Sequence, residues 1–121
     1  MKYIIDLIED VRESIGNSEE FFLTAMLLKE NSENEEQLIY AGEAPLNSFF
    51  VDKDTKRLLF SIDNSSVKMT IGTLIPPLLI LDMDAMMYEL KMDVNAQYSD
   101  VNVVGFGKND EEKKYILFIK I

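Results

Sequence analysis

The spacing of apolar and polar positions changes period several times along this chain. In the first fifteen residues Ile4, Leu7, Ile8, Val11 and Ile15 recur at helical spacing, with Asp6, Glu9, Asp10 and Glu13 on the opposite side. This predicts an amphipathic helix over residues 2–15. Gly16 is its natural stop, because glycine accepts the left-handed conformation that ends many helices. Residues 20–30 are apolar on every side. Asn17 with Glu20 has the form of a capping box and favours helix, whereas an unbroken apolar run also suits a buried strand. A polar loop over 30–36 and the segment Gln37–Gly42 follow, as in a long-looped hairpin, and strand is the preferred reading.

The next unit is a hairpin. Ser48–Val51 and Arg57–Ile62 flank the polar connector Asp52-Lys-Asp-Thr-Lys56, and Leu58, Phe60 and Ile62 alternate so that one face is wholly apolar. Ser65 or Ser66 can open a short helix that Pro76 and Pro77 interrupt after Ile75. Met83, Met86, Met87, Leu90 and Val94 then fall at helical spacing, which predicts a helix from about Asp84 to Ala96 with Asp82 or Asp84 as its N-cap. Val101–Phe106 and Lys114–Ile121 flank the turn chemistry of Gly107–Glu112 and form a last hairpin. Its second strand is apolar on both faces over Tyr115–Ile119, which predicts a central or covered position. The order implies one α+β domain over 1–121. It would be a mostly antiparallel sheet of five or six strands with an N-terminal helix, a second helical segment near residues 66–96, and the helices on one face.

Composition narrows the chemistry. Among the 121 residues there is no cysteine and no histidine. Disulfides, thiolate zinc sites, cysteine nucleophiles and histidine-based serine triads are therefore excluded. An enzyme built on this chain would have to work with Asp, Glu, Lys, Tyr, Ser or Thr, and the expectation is a non-enzyme without a cofactor. Acids interrupt the apolar positions of the N-terminus, and the longest apolar run, Leu74–Leu81, is far short of the ~20 residues that span a bilayer. A cytoplasmic protein without a membrane segment is expected.

The net charge is −10. Residues 1–44 hold 11 acids against 3 bases, residues 45–64 hold 3 of each, and residues 65–121 hold 8 acids against 6 bases. The acidity thus belongs to the first third. A field of this sign repels nucleic acid and anionic lipid and attracts a basic protein. Direct nucleic-acid binding is not expected; Lys108, Lys113 and Lys114 are offset by Asp110, Glu111 and Glu112. The candidate partner-binding residues are Asp6, Glu9, Asp10, Glu13, Glu19, Glu20, Glu33, Glu35 and Glu36.

Four motifs could carry more. The stretch Leu78-Leu-Ile-Leu-Asp-Met-Asp-Ala-Met-Met87 resembles the first motif of the haloacid-dehalogenase superfamily, whose paired aspartates serve as nucleophile and acid/base around magnesium. The resemblance covers about ten residues and departs at Met86, where the family has Thr or Val; only 37 residues follow Asp84, too few for the family's remaining motifs. Asp82 and Asp84 otherwise read as a helix N-terminus, and they are the candidate metal ligands, since hard cations take oxygen donors. Asp52-Lys-Asp54 reads as a turn, and Gly105-Phe-Gly107 lacks the context of a phosphate loop. Met83, Met86, Met87 and Met92 read as core filler, or else as an adaptable binding surface. Residues 71–87 could bury themselves in a homo-oligomer. The favoured function is a small acidic interaction module of inhibitor, immunity or regulatory type with a basic protein partner. The alternatives are an oligomeric accessory subunit and a metal-dependent enzyme using Asp82 and Asp84.

Overall fold

A computed structural model describes residues 1–16, 20–31, 34–95 and 97–120, with side chains described outside residues 30–41. The helix α1 spans Ile4–Ser14. Strands β1 (Phe22–Asn31) and β2 (Asn34–Pro45) follow, then β3 (Ser48–Asp52) and β4 (Arg57–Ile62). The helix α2 (Ile71–Leu79) and a 3₁₀ turn (Met83–Met87) lead to β5 (Glu89–Val94), β6 (Tyr98–Asn109) and β7 (Lys114–Lys120). The strands form one sheet in the order β2-β1-β7-β6-β5-β4-β3. Four neighbouring pairs are antiparallel, and two, β1–β7 and β4–β5, are parallel. The α+β class, the N-terminal helix and the mostly antiparallel sheet are those expected, with seven strands in place of five or six.

Strand periodicity explains how the sheet meets the helices. Across the parallel pairs Leu23, Ala25 and Leu27 stand beside Tyr115, Leu117 and Ile119, and Leu58, Phe60 and Ile62 stand beside Leu90, Met92 and Val94. Nearly all of these are buried, in one cluster with Ile4, Leu7, Ile8 and Val11 of α1 and Ile71, Leu74 and Leu78 of α2. Both helices therefore cover the same face of the sheet. Phe22, Thr24, Met26, Ile116 and Phe118 lie on its other face, since successive strand residues alternate.

The segment expected as a helix over 84–96 is instead the end of the 3₁₀ turn, to Met87, followed by the strand β5, Glu89–Val94; Ala96 lies outside the described residues. Leu90, Met92 and Val94 alternate with Glu89, Lys91 and Asp93 in burial, so Leu90 and Val94 satisfied two periods at once. Pairing decided between them: β4 offers β5 a parallel edge, and residues 63–88 provide the crossover that such a pair needs. The second helix begins at Ile71, later than Ser65 or Ser66 would set it, and it continues through Pro76 and Pro77. Proline's fixed φ is compatible with helix, and Ile71, Leu74 and Leu78 hold the element to the core by one apolar face.

α1 stops as its glycine predicts. The N–H groups of Ile15 and Gly16 both donate to Val11 O (3.0 and 3.1 Å), and Gly16 has φ +60°. Residues 20–30 are strand from Phe22 onward, which resolves the helix–strand ambiguity. The two edges of the sheet, β2 and β3, are separated in sequence only by Leu46 and Asn47. Leu46 N–H donates to Leu23 O and Asn47 N–H to Ser61 O (3.0 Å each), so one bent segment hydrogen-bonds to both sides of the curled sheet. Asn47 is 6% exposed. Its amide donates to Ser65 O and Val67 O (3.2 and 2.6 Å), and its Oδ1 accepts from Asp63 N–H (2.8 Å).

Candidate functional site

α2 has a single apolar face to bury, and it does so with Ile71, Leu74 and Leu78. The helix ends on Leu79, and Ile80 follows as its C-cap; both are large apolar residues that turn outward, 56% and 85% exposed. The 3₁₀ turn also divides its side chains between core and solvent. Ala85 is buried and Met86 packs partly against the core, while Met83 and Met87 are 88% and 60% exposed. Leu79, Ile80, Met83 and Met87 thus place four exposed large apolar side chains within nine residues of chain, a ridge in the sequence. Isolated exposed apolar residues are ordinary, but a set this close together is unusual outside binding surfaces. The methionine cluster divides accordingly: Met92 and Met86 serve the core, and Met83 and Met87 do not.

Asp82 and Asp84 are exposed beside the ridge. Asp82 is the N-cap residue of the 3₁₀ turn, and its carbonyl accepts from Ala85 N–H (2.9 Å). Among the described residues no three acidic side chains come together in a manner that could hold a metal ion. A hollow beside the turn is lined by Lys56, Met83, Asp84, Met87 and Tyr88.

The other acidic candidates fall into three groups. Asp6 and Asp10 have structural duties. Asp6 Oδ2 accepts from Tyr3 N–H (2.8 Å) at the start of α1, and Asp10 Oδ2 accepts from Tyr115 OH (2.5 Å). Tyr115 is fully buried, and burial first, then the Asp10 hydrogen bond and charge, push its hydroxyl far above the ordinary tyrosine range. Glu9 and Glu13 are exposed on α1, and Glu20 is exposed with Lys113 Nζ at 3.9 Å. Glu19 and Glu33 lie outside the described residues, and Glu35 and Glu36 belong to the part of β2 whose side chains are not described. The acidic residues of the first third therefore do not all serve one surface.

The basic spot is held by neighbours. Lys108 Nζ donates to Ser14 O (2.9 Å) at the end of α1 and lies 3.3 Å from Asp110; Lys114 Nζ is 2.9 Å from both Glu43 and Glu112. Asp52 behaves as a turn residue: its Oδ1 accepts from Asp54 and Thr55 N–H (3.0 and 3.2 Å), and Thr55 holds its carboxyl below the usual range. Gly107 makes room for an aromatic ring. A Cβ on Gly107 would stand 2.9 Å from Phe118 Cε2.

No family model, curated protein or solved structure matches this chain. Among the described residues no helix is long and apolar enough to cross a membrane.

One feature went unread in the sequence: Asn47 carried no signal beyond its position between two apolar segments. The outward turn of Leu79 and Ile80 falls within residues 71–87, the apolar segment that the sequence singles out.

Proposed function

We propose that this domain is a protein-interaction module that docks a basic partner protein on the ridge Leu79–Met87. The observation that carries the reading is the exposure of Ile80 and Met83, 85% and 88%, in a segment that Leu78 and Ala85 anchor in the core. Methionine suits such a surface because its flexible thioether adapts to a partner's shape. Asp82 and Asp84 beside the ridge, Glu9 and Glu13 on the same helical layer, and the overall charge of −10 favour a cationic rim on the partner. They also disfavour a second copy of this chain, which would bring a further −10 to the contact. The partner would be a basic protein inhibited or regulated by this domain.

Site-specific photo-crosslinking tests this. A crosslinker at position 83 should capture one defined basic protein, while the same group at Lys91, on the opposite sheet face, should not. The purified partner should then bind wild type, lose affinity roughly a hundredfold for the Ile80→Ser/Met83→Ser variant, and associate more slowly as salt rises. Capture of a second copy of this chain from position 83, with a dimer in sedimentation, would overturn the reading in favour of an oligomeric subunit.

A further inference from the structure

A second site lies away from the ridge, where β1, β2 and β7 meet the segment that leads into α2. Met69 N–H donates to Leu46 O and Met69 O accepts from Leu23 N–H (3.2 and 2.9 Å), which draws Lys68 to the mouth of the β1–β2 hairpin. The cavity there has a volume of about 300 Å³, and its lining includes Phe22, Thr24, Glu43, Pro45, Lys68 and Lys114. That is the lower end of the range for small-molecule pockets.

Its polar groups are unequal. Lys114 is shared between Glu43 and Glu112, and those two hydrogen bonds raise its proton affinity. Its positive charge therefore stays in place and offsets Glu43 within the cavity wall. Lys68 is exposed and has no carboxylate partner among the described residues. Thr24 is 5% exposed, and its Oγ1, which is closed off from solvent, has no hydrogen-bond partner among the described residues. A buried hydroxyl left in that state costs stability, and a Thr side chain can exchange its hydroxyl and methyl positions by one χ1 step. Phe22 and Pro45 add apolar wall.

We propose that this cavity binds a carboxylate carried on a small apolar body. The carboxylate would lie on Lys68 Nζ and accept a hydrogen bond from Thr24 Oγ1, with the apolar part against Phe22 and Pro45. In a chain of net charge −10 an unpaired lysine beside an unpaired buried hydroxyl selects an anion that brings its own apolar surface. That chemistry has two sources: a free small organic acid, or the C-terminal carboxylate of a peptide ending in an apolar residue.

Backbone-amide NMR titration of the full chain separates them. The probes are hexanoate and 4-phenylbutyrate, and a tetrapeptide ending in phenylalanine, each beside its carboxamide counterpart. Saturable shifts at Phe22, Thr24 and Lys68 with the free acids identify a small-molecule site, and the same shifts with the peptide alone identify C-terminal capture. Lys68→Gln and Thr24→Val should each weaken binding roughly tenfold, with Thr24→Val melting no lower than wild type, so that the loss is not one of folding. The inference fails if no probe saturates up to about 10 mM, if the carboxamides bind as well as the acids, or if the shifts centre on Ile80 and Met83.

Discussion

Asn47 and Thr24 are both buried polar residues, and they stand on either side of the same junction, where the bent β2–β3 segment meets β1. Asn47 has every polar atom of its side chain engaged, two donors and one acceptor. Thr24 has none engaged at its hydroxyl. The difference separates a group kept for architecture from one that costs the fold something. Asn47 ties the loop 63–67 to the sheet edge, and the apolar residues around it could not. Thr24 does nothing for its neighbours that valine would not do as well, and this directs attention to the cavity it lines.

The sharpest way to break this comparison is to remove Asn47. Asn47→Ala leaves two carbonyls and one backbone N–H without their partner, and should cost about 3 kcal/mol in urea unfolding. A loss below about 1 kcal/mol would mean that the loop 63–67 does not depend on it.

Tyr115 extends the comparison to a buried group that is engaged and ionisable. Tyr115→Phe should cost about 2 kcal/mol, because Asp10 loses its hydroxyl donor. The pH dependence has a definite sign. The folded hydroxyl titrates above its unfolded value, so the native state holds its proton longer. Its contribution is complete below the unfolded value near pH 10 and declines as pH rises beyond it. Lys114, also raised, acts in the same direction. Wild type should therefore lose stability on alkaline titration above about pH 10, and Tyr115→Phe should lose less over the same interval. Equal slopes for the two would remove Tyr115 as the source.

Thr24→Val should go the other way and stabilise by about 1 kcal/mol, since it removes an unengaged hydroxyl and places a good strand former in β1. A destabilised variant would show that the hydroxyl has a structural role after all. Smallest of all are the expected stability effects on the ridge. Ile80→Ser and Met83→Ser should each shift unfolding by less than about 0.5 kcal/mol, the mark of side chains that contribute nothing to the monomer.

Much of the sheet was legible because its hairpins announce themselves. Leu58, Phe60 and Ile62 show a period of two, and the polar connectors at 52–56 and 107–112 carry turn residues. The stretch from Ser65 to Val94 was not legible to the same degree. Met83, Met86, Met87, Leu90 and Val94 fit a helix, yet Leu90, Met92 and Val94 fit a strand equally well, and only the parallel edge of β4 discriminates. That edge is a tertiary fact. The two prolines misled in a similar way, because a helix held by three buried residues tolerates what an isolated helix would not. The ridge was half visible as a surplus of apolar residues over 71–87. The cavity was not visible, since Phe22, Pro45, Lys68 and Lys114 come from four separate segments and converge only through the crossing at Leu46 and Met69.

The parallel pairing of β1 with β7 has a consequence in time as well as in space. Tyr115 and Asp10, which join β7 to α1, are 105 residues apart in sequence. The β1–β2 hairpin can form locally, but its inner edge remains open until β7 has been made and threaded beside it. Contacts this distant slow folding, because the intervening chain must be ordered before they can form. During that interval the first third of the chain would display an unpaired strand of apolar residues, which is a template for aggregation. The negative charge of residues 1–44 flanks that strand in the sequence, and repulsion between unfolded copies would keep the exposed edges apart until β7 is in place.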